Sequence, residues 1–306
     1  MASRRISLLT AAGLTALAGL GACGTAAGHD SGKIDVVTAF YPLQFVAERV
    51  GGDAVSVTNL AKPGAEPHDL ELNPRQVRQV ADAGLVVYLK GFQPAVDDAV
   101  AQQAARTSFD VTTVQPLADA TAADEGGNET DRPRGKDPHV WLDPTRLAAI
   151  ADRLADRLGA VDGAHAGDYT ARAARLRADL TSLDGEYVRG LRDCQRHEII
   201  TSHAAFGYLA ERYHLRQLAI TGLSPGHEPS PQRLATVAER ARALGATTIF
   251  FETLVSPKVA EALATEVHAR TAVLDPIEGL QPGGSDDYFS VMRGNLAALR
   301  SALGCR

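Results

Sequence analysis

Short β-branched runs alternate with amphipathic stretches over most of the chain. In the first half, IDVVTAF (34–40), AVSVTNL (54–60) and LVVYL (85–89) read as strands. LQFVAERVG (43–51), PRQVRQVADAG (74–84) and AVDDAVAQQAA (95–105) carry apolar positions at helical spacing. The second half repeats the rhythm. HEIITSH (197–203), RQLAI (216–220), TTIFFE (247–252) and TAVLD (271–275) alternate with helical AAFGYLAERY, SPQRLATVAERARALG and SPKVAEALATEVHA. Such alternation predicts an α/β fold with parallel sheets covered by helices on both faces. A length of 306 residues exceeds what one compact core usually takes, so each half is expected to form its own lobe.

Residues 167–194 behave differently. Tyr169, Leu176, Leu180, Leu183, Tyr187 and Leu191 recur at spacings of three, four and seven with no proline, which predicts one long helix. Gly185 in its interior leaves open whether that helix is straight. The expected organisation is an N-terminal lobe over 34–166, a linking helix over 167–192 and a C-terminal lobe over 193–306. Residues 118–137, rich in Ala, Gly and acidic side chains and nearly free of large apolar ones, read as an exposed, mobile acidic loop.

The N-terminus changes the compartment. MASRR followed by ISLLTAAGLTALAGLGA has the basic start and short apolar stretch of an export signal, too short for a spanning helix. Its end, LGAC, resembles a bacterial lipobox, so 1–22 read as a lipoprotein signal peptide, Cys23 as the lipidated residue and 23–33 as a tether. An exported chain then keeps two cysteines, Cys194 and Cys305; an even pair in an oxidising compartment suggests a disulfide, with two unpaired thiols as the alternative. A net charge of −6 argues against a nucleic-acid partner.

The chemistry lies in the histidines. DPHVWLDP (137–144) explains its second Asp-Pro easily: Asp143 caps a helix and Pro144 is its first residue. His139 is left over. His68 lies in a turn-rich loop after a predicted strand, and His203 and Asp275 end predicted strands. Ligands of open α/β sheets bind beyond the carboxyl ends of strands. Three neutral imidazoles and a carboxylate suit a borderline divalent ion, zinc first. Each residue alone also has an ordinary reading as a surface, turn or hydrogen-bonding group. His165, His214 and His268 are read as solvated, His29 as part of the tether, His197 as the start of a strand, and His227 as an exposed loop residue with the cleft mouth as the alternative. Glu252 is read as a structural hydrogen-bonding carboxylate.

VVTAFYPLQFVAERVGG, KPGAEPHDLELNPRQV, DPHVWLDP, TSHAAFGYLAERY and VLDPIEGL, in this order, resemble the zinc- and manganese-binding solute receptors of ABC importers, the ZnuA-like cluster A-I group. The resemblance covers nearly all of the mature chain. It implies two α/β lobes joined by one long rigid helix, with one Zn2+ per chain held by His68, His139, His203 and Asp275, and Glu66 as a less favoured extra oxygen ligand. Manganese members carry Glu where His203 stands, so the imidazole there selects zinc. The family also implies a monomeric receptor, not an enzyme, lipid-anchored outside the cell membrane or periplasmic, serving a separate ABC permease and its ATPase. The acidic loop departs from the histidine-rich loop of many zinc members: residues 118–137 contain no histidine. A manganese receptor, a zinc hydrolase built on the same histidines and a surface adhesin are the competing readings.

Overall fold

The computed structural model describes residues 32–120, 135–226 and 228–306. The signal 1–22, Cys23, His29, residues 23–31 of the tether, 121–134 of the acidic loop and His227 lie outside them.

The first sheet contains β1 (Ile34–Thr38), β2 (Val55–Asn59), β3 (Leu85–Tyr88) and β4 (Ser108–Asp110), parallel throughout in the order β2-β1-β3-β4. The second contains β5 (Glu198–Thr201), β6 (Arg216–Ala219), β7 (Thr248–Phe251) and β8 (Arg270–Val273), again parallel, in the matching order β6-β5-β7-β8. Every strand read from the sequence is present, and each predicted run overshoots its carboxyl end by one or two residues. Those overshooting residues turn out of the sheet and carry the loops on which the candidate site is built. β4 was not anticipated, because three residues show no periodicity.

Helices α1 (Tyr41–Gly51), α2 (Pro74–Asp82), α3 (Pro94–Gln103) and α4 (Pro144–Val161) belong to the first half of the chain. Their starts are written in the sequence. Asn73 and Gln76 form a reciprocal capping box ahead of Pro74, and the Asp143 side chain accepts from Thr145 N ahead of Pro144. Helix α5 (Ala166–Leu191) has 26 residues, about 39 Å of helix, and runs through Gly185 without a break. Its stripe of Tyr169, Leu176, Leu180, Leu183, Tyr187 and Leu191 is buried as the spacing predicts. Helices α6 (Gly207–Arg212), α7 (Pro231–Ala243) and α8 (Lys258–Val267) flank the second sheet.

Helix α9 (Tyr288–Leu303) was not foreseen, yet it contacts elements of both halves of the chain. The Tyr187 hydroxyl of α5 donates to Met292 O at 2.6 Å. At the other end of α9, Tyr288 stacks on Phe45 of α1 at 5.3 Å and donates to Trp141 O at 2.7 Å. One continuous apolar cluster therefore contains Phe45, Trp141, Tyr187 and Tyr288, residues from both halves of the chain. Among the described residues no helix is long and apolar enough to cross a membrane.

A disulfide joins Cys194, just beyond α5, to Cys305, across 111 residues of sequence. Arg306 N donates to Asp193 O beside it, so the tail is pinned where α5 ends. Closing so long a loop removes much of the freedom of the unfolded chain. Replacing both cysteines by alanine is expected to cost about 2–4 kcal/mol in urea unfolding; an unchanged midpoint would show that the bridge constrains nothing.

Candidate metal centre

Four side chains arrive from four loops, each beyond the carboxyl end of a strand. His68 follows β2, His139 follows β4, His203 follows β5 and Glu278 follows β8. Their candidate donor atoms all lie within 4.8 Å of one another, and His139, His203 and Glu278 are fully buried. Nε2 of His68, His139 and His203 sit 3.2, 3.0 and 3.2 Å from one atom, Glu278 Oε1. Four donors on a zinc ion with bonds of ~2 Å would stand roughly 3.3 Å apart, so the gathering has the right scale.

Two of the rings are aimed by carboxylates behind them. His139 Nδ1 donates to Asp137 Oδ1 at 2.8 Å, and His203 Nδ1 donates to Glu252 Oε1 at 2.9 Å. Ser202 Oγ also donates to that Glu252 oxygen, at 2.7 Å. A proton held on Nδ1 leaves the Nε2 lone pair facing the centre. Among the described residues His68 has no such carboxylate behind its ring. It is held instead by its loop: its backbone N–H donates to Glu66 Oε1 at 2.9 Å, and the ring meets the edge of Phe92 at 4.6 Å. Trp141 packs 5.2 Å from His139, with its indole N–H donated to Pro276 O at 2.7 Å.

At the fourth position the structure gathers a different carboxylate from Asp275. Asp275 is not in the cluster; Glu278 is. Both oxygens of Asp275 are already engaged, Oδ2 by Thr253 Oγ1 at 2.6 Å and Oδ1 by Ile277 N at 2.7 Å. Asn295 on α9 grips its backbone on both sides, at 2.9 and 2.7 Å. Asp275 is the keystone of a turn in which Ile277 adopts φ +59°, a left-handed conformation that a β-branched residue rarely takes. Such a conformation costs about 1–3 kcal/mol and persists only where surroundings enforce it. Glu278 follows this residue directly, and its Oε1 lies at the centre. Nothing in the spacing of VLDPIEGL reports which carboxylate points inward; the only signal was a second carboxylate three residues on.

Glu66 stays outside the cluster, with Oε1 spent on His68 N–H and Oε2 buried without a partner. Burial and then the neighbouring Glu278 push its pKa up to about 8. Glu278 Oε2 is likewise buried without a hydrogen-bond partner, as befits a carboxylate kept for a cation. His165 is bonded to Asp162 at the surface, and His197, His214 and His268 are exposed.

The electrostatics favour positive charge at the centre. Burial disfavours charge on His203, yet Glu252 and Glu278 outweigh it and raise its pKa to about 10. His139, equally buried, is raised by Asp137 and Glu278. Burial lowers His68, which has only Glu278 to oppose it. Burial also opposes charge on Glu278, but hydrogen bonds from the three rings hold it well below the usual carboxylate range. Three imidazole nitrogens and one carboxylate form a donor set suited to zinc.

The family model for the zinc-uptake complex component A periplasmic, ZnuA, matches residues 36–302. The chain belongs to the ZnuA family. It is 34% identical over 290 residues to the zinc-binding protein AdcA of Streptococcus pyogenes serotype M6, covering 88% of this chain and 56% of that protein. It thus spans little more than half the length of that relative. The high-affinity zinc uptake system protein ZnuA of Bacillus subtilis is 32% identical over 280 residues, covering 89% of this chain and 88% of that one. Among solved structures, the Zn(II)-bound ZnuA-like domain of Streptococcus pneumoniae AdcA superimposes with a TM-score of 0.75 at 33% identity, covering 89% of this chain and 99% of that one. The laminin-binding protein Lmb of Streptococcus agalactiae, described as a bifunctional protein with adhesin and metal transporting activity, gives 0.77 at 31% identity, covering 88% and 99%.

Protons and a divalent cation compete for the same nitrogens. His203 and His139 are both raised, so at neutral pH the ion must displace protons from them. Zinc binding at pH 7 is expected to release about one to two protons, and the apparent affinity to rise with pH toward 10 by about tenfold per unit for each proton displaced. Calorimetry in buffers of different ionisation enthalpy reads the proton count directly; an affinity flat between pH 6 and 9 would contradict the assignment of these rings.

Proposed function

We propose that this chain is an extracytoplasmic zinc receptor: His68, His139 and His203 through Nε2, with the Glu278 carboxylate, hold one Zn2+ for delivery to a separate ABC permease driven by its ATPase. The observation that carries the reading is the convergence of three buried Nε2 atoms on one carboxylate oxygen. Membership of the ZnuA family and the zinc-binding relatives support it. Lipid anchoring through Cys23 on the outer face of the cell membrane belongs to the same proposal. It is supported by the LGAC motif and by a relative in Streptococcus pneumoniae named zinc-binding lipoprotein AdcA.

The donor set argues against the competing classes. A hydrolytic zinc usually keeps three protein ligands and an open position for water. Here a fourth protein donor, Glu278, lies beside all three rings and would fill that position. Manganese prefers oxygen, and a centre with three imidazoles is poorly matched to it.

Metal titration of the chelator-stripped mature chain tests this, by calorimetry and native mass spectrometry. Wild type is expected to bind one zinc tightly and manganese weakly. Glu278→Gln should weaken zinc by more than about 100-fold, because loss of an outer hydrogen-bond partner alone already costs about 10–100-fold. Asp275→Asn should weaken it less, by loosening the turn. His203→Glu should move preference toward manganese. A larger loss in Asp275→Asn than in Glu278→Gln would return the fourth position to Asp275, and no tight zinc in wild type would end the receptor reading.

A further inference from the structure

His139 is aimed by Asp137, and Asp137 is itself held by the other half of the molecule. Residues 118–120 and 135–137 form the stem of the acidic insertion. Asp119 and Lys136 make an antiparallel bridge, Ala120 N donates to Gly135 O at 2.9 Å and Asp137 N donates to Ala118 O at 3.0 Å. The Lys136 ammonium pairs with Asp119 at 2.6 Å, but both groups are exposed, so that pair adds little. The buried tie comes from Tyr208 on α6. Its hydroxyl accepts Ala118 N–H at 2.9 Å and donates to Asp137 O at 3.0 Å, so one oxygen clasps both sides of the stem. The ring is buried, and the Arg146 guanidinium lies 4.7 Å over it.

The preceding residue completes the seat. A Cβ at Gly207 would stand 2.6 Å from Asp137 Oδ2, closer than real side chains approach, so only glycine lets the carboxylate lie against the start of α6. The other oxygen, Oδ1, accepts from both the backbone N–H of His139 at 3.0 Å and its Nδ1 at 2.8 Å. A chain of contacts therefore runs from Tyr208 and Gly207 through Asp137 to His139. Helix α6 begins four residues after His203, so this chain links two ring-bearing segments that lie far apart in sequence.

We propose that Tyr208 and Gly207 are positioning residues of the metal centre, forming a latch that fixes His139 through Asp137. The latch rests on the zinc reading above. When it is closed, the Nδ1 partner of His139 is immobile, and the ring presents Nε2 in one orientation. When the stem parts, Asp137 loses its seat and His139 its aim, with no first-sphere atom removed. The described stem, residues 118–120 and 135–137, is thereby tied to the metal centre through Asp137.

The test is zinc release and cobalt spectroscopy on the full mature chain. Tyr208→Phe keeps the ring and its Arg146 packing and deletes only the clasping oxygen. Zinc dissociation into excess chelator should accelerate about tenfold, the low end of the range for outer hydrogen-bond partners. The visible absorption of the Co(II)-loaded variant should shift, with the melting temperature of the metal-free chain close to wild type. Asp137→Asn should act in the same direction and more strongly. Because Tyr208 works through Asp137, the double variant should release zinc no faster than Asp137→Asn alone. Gly207→Ala gives a second, independent entry: it should speed release in the wild-type background and lose that effect beside Asp137→Ala, where the obstructed carboxylate is gone. Wild-type release rates and cobalt spectra in both Tyr208→Phe and Gly207→Ala overturn the latch, as do fully additive effects in the double variants. A wild-type chain that takes up no tight zinc overturns the metal assignment and the latch with it, so the two failures are told apart.

Discussion

Three imidazole nitrogens aimed at one carboxylate oxygen in a buried space set the terms for the rest of this structure. With the Nδ1 protons of His139 and His203 given to Asp137 and Glu252, neutral rings would turn lone pairs toward Glu278 Oε1. That arrangement is repulsive unless positive charge stands between them. Protons supply it at a cost in desolvation; a divalent cation supplies it with the geometry the rings already have. The raised pKa values of His139 and His203 and the lowered one of Glu278 express the same demand from both sides.

Holding such a centre together requires a scaffold that does not relax. The repeated sheet order places the four loops at carboxyl strand ends, where hydrogen bonds and buried packing hold them. The left-handed Ile277 is held by Asp275 Oδ1, and Asp275 in turn by Thr253 and Asn295, so the turn that precedes Glu278 is braced from two other elements. Helices α5 and α9 and the aromatic contacts of Phe45, Trp141 and Tyr288 make one apolar cluster through both halves. Swinging the halves widely apart would expose that cluster, whereas displacing a loop would not. Of the three rings, His68 is the one held, among the described residues, without a carboxylate on Nδ1.

Much of this was legible in the sequence, for identifiable reasons. The parallel sheets followed from strand-helix alternation, the long helix from its stripe of Tyr169, Leu176, Leu180, Leu183, Tyr187 and Leu191, and the start of α4 from Asp143-Pro144. Those signals are local, because caps and periodicity act within a turn or two. His68, His139 and His203 stood out as chemistry-bearing residues at loop and strand ends, and the structure brings them together. Strand β4 is too short to carry a pattern, and α9 passed unnoticed although Asp287 and Ser290 form a capping box at its start. The exchange of Asp275 for Glu278 has a deeper cause. Asp275 is held by Thr253 and Asn295, partners far along the chain, and Ile277 takes a left-handed torsion between it and Glu278. No local pattern contains that information.

The same torsion bears on why the centre is better suited to holding a metal than to using one. Asp275, had it been the fourth donor, would have reached the centre on a short side chain from a strand end, a geometry that more easily leaves a face open to water. Glu278 arrives on a longer side chain from beyond the strained turn, and its Oε1 meets all three rings at once. A cation there would have protein donors on every side and no free position for an activated water. Its charge would be met by Glu278 directly and by Asp137 and Glu252 one imidazole away. Selectivity would then rest on nitrogen count and retention on the carboxylates behind the rings, with the fourth protein donor leaving no place for an activated water. Capture and handover need the first two properties, while catalysis would need the third to be absent.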